Sequence, residues 1–213
     1  VSLLSVCIHY QAMPPDCEFY ERLRTDRPLA LLVASVFQCG SGLMYLYELP
    51  DDEIDEVVEF TLERYPDDFG RGPRVRRDWV NRLRVEIESA RAAYPGIEQR
   101  SAWLMKPAWD IDRRLGDRFQ ILGAESAGRL ADRLLFGEST LCAPLIKRGE
   151  ECVGVLSAAS LRVAATTLRH VRAEELFPEE VDRDGWNLDQ TRDWIEFHVE
   201  AAGRHEDVLS QVI

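Results

Sequence analysis

The sequence predicts an α+β fold: a mixed sheet of short strands packed by several helices, among them a long antiparallel helix pair. Three observations point there. Segments with apolar residues three and four apart are interspersed with short segments of period two. No regular strand–helix–strand alternation runs through the chain, which argues against a doubly wound sheet. An apolar fraction of 46% in 213 residues is enough for a proper buried core. The chain reads as a single domain, residues 1–213, with two halves joined near residues 103–123.

From Leu3 to Ala12 the alternation sets Val6, Ile8 and Tyr10 on one side of a strand and Ser5, Cys7, His9 and Gln11 on the other, until Pro14 and Pro15 end it. Asp16 is placed to cap a helix with Phe19, Tyr20 and Leu23 on its apolar stripe, and Pro28 to Phe37 is a second, apolar helix. Leu43 to Leu49 reads as a buried strand. Pro50, Asp51, Asp52 and Glu53 open a helix with carboxylates at its positive end, continued by Ile54, Val57, Val58 and Leu62. After a loop from Tyr65 to Gly72, Pro73 opens its long neighbour, in which Trp79, Val80, Leu83, Ile87 and Ala90 face one way.

The stretch Trp103 to Gly123 connects the halves. Ile111, Leu115, Phe119 and Leu122 share one helix face, and the pairs Asp110/Arg114 and Arg113/Asp117 fall four apart on the other. Ser126 to Phe136 is a helix stopped by Gly137, Cys152 to Leu156 a strand, and Ser157 the cap of a helix containing Leu161, Ala164, Ala165 and Leu168. Asn187 caps the last helix, with Leu188, Ile195, Val199 and Ala202 spaced for burial and Trp194 and Phe197 widening the stripe. Val208 to Ile213 is too apolar for a free tail and reads as a strand, paired beside the N-terminal strand or Cys152 to Leu156.

Four segments, DIDRRLGDRFQILG, LLFGE, VGVLSAASLRVAATTLRHV and DWIEFHVEAAGRHEDVLSQVI, occur in an order that resembles the YfbM-like family of bacterial proteins of unknown function, from about Trp109 to Ile213. The resemblance implies a compact α+β domain and no agreed activity. Where the family pattern has a tryptophan and histidines after the aspartate, this chain has Leu115, Gly116 and Phe119. A site built on those polar aromatics would be missing here.

A formal charge of −12 argues against recruitment by nucleic acid or anionic lipid, which positive potential drives. Glu48 to Asp68 holds ten acidic residues and one arginine, whereas Arg71 to Arg84 holds six arginines and one aspartate. The two charge runs are therefore expected to neutralise each other, with Arg76, Arg77 or Arg84 reaching the acidic helix. The five cysteines are scattered and never form C-x-x-C, so neither a disulfide framework nor a zinc cluster is signalled. The longest apolar run, Pro28 to Phe37, falls short of the roughly 20 residues a membrane span needs, and no basic leader is seen. A cytoplasmic location is expected.

Cys7 and His9, two apart on one side of a strand, are the sharpest catalytic pairing, a thiol beside an imidazole. Asp110, Asp112 and Arg113 are the candidate binding residues on the exposed face of the central helix. His170, His198 and His205 are isolated and expected at helix ends or on the surface, without metal-ligand spacing. Gly40-Ser41-Gly42 lacks the third glycine and the lysine of a phosphate loop, so no cofactor is expected. The leading expectation is a non-enzymatic protein-interaction or regulatory module, whose partner is another protein or a second copy of the chain. The alternative is a small-molecule hydrolase or transferase using Cys7 and His9.

Overall fold

The structure is a computed structural model that describes residues 7–36, 46–105, 108–141, 153–176 and 186–212. In chain order its elements begin β1 (Cys7–Met13), α1 (Glu18–Thr25), α2 (Arg27–Val36), α3 (Asp51–Arg64), α4 (Pro66–Phe69), α5 (Pro73–Ala93) and a 3-10 turn (Ile97–Gln99). They continue with β2 (Ser101–Met105), α6 (Ala108–Ile121), α7 (Ala127–Phe136), β3 (Ser139–Thr140), β4 (Gly154–Leu156), α8 (Ala158–Leu168), α9 (Ala173–Leu176), α10 (Trp186–Gly203) and β5 (Asp207–Val212). The fold is α+β, with a five-stranded antiparallel sheet. Its contacts separate two compact units. One comprises Val1–Pro15, Ser101–Ser139 and Gly154–Ile213; the other comprises Asp16–Arg100 and Thr140–Val153. The stretch Trp103 to Gly123 lies inside the first.

The sheet has the order β2-β1-β5-β4-β3. β1 runs antiparallel to β2 and to β5, so Tyr10 faces Ala102 and Ser210, and His9 faces Trp103 and Gln211. β5 also pairs antiparallel with β4, so the C-terminal strand sits beside both of its expected neighbours. Strand alternation then decides which side chains enter the core of this unit. Ile8, Tyr10, Ala12, Ala102, Leu104, Leu156 and Val208 meet Ile111, Leu115 and Phe119 of α6, Leu134 and Leu135 of α7, Leu161 and Leu168 of α8, and Trp194 of α10. Each fully buried aliphatic or aromatic side chain of this kind contributes about 1.5 to 3 kcal/mol.

At the C-terminus of α7 the backbone comes so close to β4 that side chains are excluded. A Cβ on Gly154 would overlap the carbonyl oxygen of Phe136, and Gly137 has φ +82 with a Cβ position against the backbone of Val155 and Gly154. Glu138, next in the chain, accepts from the Ser157 amide at 3.0 Å and from the hydroxyls of Ser157 and Ser160. Burial pushes its carboxyl up, yet these hydrogen bonds and Arg133 leave it below the usual carboxylate range. Asp207 accepts from the Ala158 amide at 2.7 Å, so two carboxylates from distant segments satisfy the start of α8.

The second unit is helical. α2 is buried from Leu29 to Val36, and its first turn is capped by Asp26, which accepts from the Leu29 amide at 3.1 Å and pairs with Arg82. Arg22 reaches the nearly buried Glu86 and ties α1 to α5. α3 and α5 are in contact, and the expected neutralisation occurs there. Arg76 lies 3.5 Å from Asp55 and 3.0 Å from Glu59, and Arg84 lies 3.3 Å from Asp51. The expectation of a long antiparallel pair goes no further than this contact.

Several expectations give way to packing. β2 was not foreseen, because Ser101 to Met105 shows no clear alternation of polar and apolar residues. The expected strand from Leu43 to Leu49 is a turn at residues 46–48, and residues 43–45 lie outside the description. Leu46 and Tyr47 are buried there, and Arg91 donates to the Tyr47 carbonyl, so an apolar run is satisfied without a ladder. The loop from Tyr65 to Gly72 contains α4. The cap position of α1 is Cys17, not Asp16, and α10 begins at Trp186, which places Asn187 inside the helix. Leu122 is 40% exposed, because α6 ends at Ile121.

Candidate functional site

α3 ends at Arg64 with Tyr65 as its C-cap, because Pro66 has no amide hydrogen with which to continue it and starts α4 instead. α4 is held from both sides: Phe69 is buried edge-on to Trp79 with ring centres 4.9 Å apart, and Asp68 accepts from Arg27 at 2.9 and 3.2 Å. The chain then reverses through Gly70 (φ +77) and Gly72 (φ +120), backbone angles that side chains rarely adopt. Pro73, preset for a first helical position, begins α5.

Between α3, this reversal and α5 lies an open groove of about 530 Å³. Leu62, Pro66 and Pro73 supply its apolar lining, and Glu59, Glu63, Arg71 and Arg76 its charged lining. Arg76 is held by Asp55 and Glu59. Glu63 and Arg71 are exposed and make no hydrogen bond or ion pair among the described residues. The groove can therefore take an apolar side chain and pair charges of either sign beside it. Its sequence signal was the run Pro66 to Pro73, read as a loop because the four residues of α4 are too few to show helical spacing.

The residues singled out from sequence lie elsewhere. Positions 7 and 9 share a face of β1, as expected from the alternation; His9 is 1% exposed, and the side chain of Cys7 lies outside the description. Asp112 on α6 is partly buried, and its carboxyl is raised by that burial and by the charge of Asp132 on α7. Arg113 is exposed, and the side chain of Asp110 lies outside the description. Among the described residues, no group of three His, Cys, Asp or Glu is arranged to hold a metal ion.

His198 was expected at a helix end or surface and is instead fully buried. Its ring sits 5.0 Å from Tyr10, 4.6 Å from Trp194 and 5.0 Å from Phe197. Nδ1 donates to the Trp194 carbonyl at 2.8 Å, and Nε2 meets no hydrogen-bond partner of ordinary geometry among the described residues. Burial pulls the pKa down to about 4, against the carbonyls of Trp194 and Leu134, which favour the proton. The imidazole is a neutral core group. The buried stripe of α10 accordingly runs through Gln190, Thr191, Trp194, His198 and Ala201, with Leu188, Ile195 and Val199 at its margins.

A second cavity, of about 310 Å³, is lined by Cys17, Arg22 and Tyr94 among others. Cys17 is a buried free thiol hydrogen-bonded to Tyr47, whose hydroxyl is pushed well up by burial first and by Cys17 second. By fold and by site the chain is thus an α+β protein with a charge-lined apolar groove on a helical unit. No family model, curated protein or solved structure matches it. Among the described residues no helix is long and apolar enough to cross a membrane.

Proposed function

We propose that this chain is a non-enzymatic protein-interaction or regulatory module and that the groove between α3 and α5 is its recognition surface. The observation that carries the reading is the groove's composition: Leu62, Pro66 and Pro73 offer apolar area in an open channel, and Glu63 and Arg71 stand beside it exposed and without an ion pair among the described residues. An apolar centre rimmed by charge is how a protein surface holds a peptide segment in a fixed register. A different fate befalls the histidines that chemistry would recruit: His198 is locked neutral in the core and His9 is buried in the sheet. The likeness of residues 109–213 to the YfbM-like family belongs to the same proposal and supplies no activity of its own.

The test is selection from a random peptide display library on the full chain, followed by titration of the winning peptides against the wild type and Leu62→Asp. We expect selected peptides to share an apolar position and to lose at least about tenfold in affinity with Leu62→Asp. Peptides that bind both proteins equally would move the recognition surface off the groove.

A further inference from the structure

The charges around the groove name its partner, on the reading that the groove is an interaction surface. We propose that it takes a peptide segment with an apolar anchor followed by acidic side chains, the acidic end lying over Arg71, Arg74 and Arg77. Arg71 lines the groove. Pro73 does too, and Arg77 follows it by four residues on the same strip of α5, with Arg74 three residues before Arg77. All three arginines are exposed.

Their neighbours on the same helix are spoken for. Arg76 is held by Asp55 and Glu59, Arg82 by Asp26, and Arg84 by Asp51. Arg71, Arg74 and Arg77 make no ion pair or hydrogen bond among the described residues. Arg74 and Arg77, three residues apart on α5, repel one another, and an acidic segment relieves that repulsion. The first turn of α5 contains no acidic residue, and its cap, Gly72, makes no side-chain cap hydrogen bond, so the positive end of the helix adds to these arginines. In a protein of net charge −12 Arg71, Arg74 and Arg77 outnumber Glu63, the exposed carboxylate on the groove lining that has no ion pair among the described residues, and so favour an anionic segment. The apolar lining, in turn, demands an anchor that a purely electrostatic ligand lacks.

The test titrates fluorescent peptides of about twelve residues into the full chain, each with a central leucine-phenylalanine pair flanked by aspartates, by lysines or by serines. We expect the aspartate peptide to bind best, to weaken with added salt, and to lose at least about tenfold with Arg74→Glu/Arg77→Glu, surface changes that leave the core untouched. Loss with Leu62→Asp but not with the double charge reversal overturns the acidic partner and keeps the groove. Equal or tighter binding of the lysine or serine peptide does the same. Binding indifferent to Leu62→Asp overturns both readings. No binding of any of the three up to about 1 mM overturns the acidic partner, while the display selection decides the groove separately.

Discussion

At His198 the carbonyl of Trp194 holds one ring nitrogen, the other has no donor among the described residues, and burial among Tyr10, Trp194 and Phe197 disfavours the charged ring. The folded pKa of about 4 lies below the ordinary value of 6.5. Between those two pH values the unfolded chain binds the proton and the folded chain does not. Stability therefore falls as pH drops from about 6.5 toward about 4, and this group adds nothing further below that. The shift corresponds to a loss of order 3 kcal/mol. Denaturant midpoints measured from pH 7 to pH 4.5 should decline, and His198→Asn, which keeps a donor near the Trp194 carbonyl, should flatten the decline. An equally steep profile in the variant would place the proton uptake elsewhere. Nothing in the sequence marked this residue, because a histidine on a helix reads as polar unless its neighbours in space are known. Position 9 was legible only as far as its strand face.

Among the elements, β5 shows how a short segment comes to hold a sheet together. It lies between β1 and β4, so its removal takes one ladder from each, divides the sheet into β2-β1 and β4-β3, and takes Val208 out of the packed core. Truncation after Gly203 should abolish soluble expression or the cooperative thermal transition. A truncated protein that melts like the full chain would mean that β5 is dispensable to the sheet. This strand was legible because Val208 to Ile213 is too apolar for water; β2 was not, because its residues Ser101 to Met105 show no clear alternation and are recruited by pairing with β1. The caps divide in the same way. Ser157 announces α8 locally and does accept from the Ser160 amide at 3.4 Å, whereas Glu138 and Asp207 reach the same helix end from segments far off in sequence.

For the whole molecule, residues 16–100 form one unbroken stretch between β1 and β2, and they supply α1 to α5 of the helical unit. Expressed alone, this stretch should give a helical circular-dichroism spectrum and a cooperative melt, because α2, α3 and α5 carry their own buried face and ion pairs. A coil spectrum would show that it depends on residues 140–153 or on the rest of the chain. The sequence by itself determined the α+β class, most helices, and the opposition of an acidic helix to an arginine-rich one, since period, proline and charge are local signals that survive without tertiary contacts. Tertiary structure alone decided the strand order, the neutral core histidine and the groove. Each depends on which segments, far apart in the chain, come to lie side by side. The clearest instance is Arg71 to Arg84: six arginines look alike in sequence, and only the placement of Asp55, Glu59, Asp26 and Asp51 separates Arg76, Arg82 and Arg84 from the three that make no ion pair among the described residues.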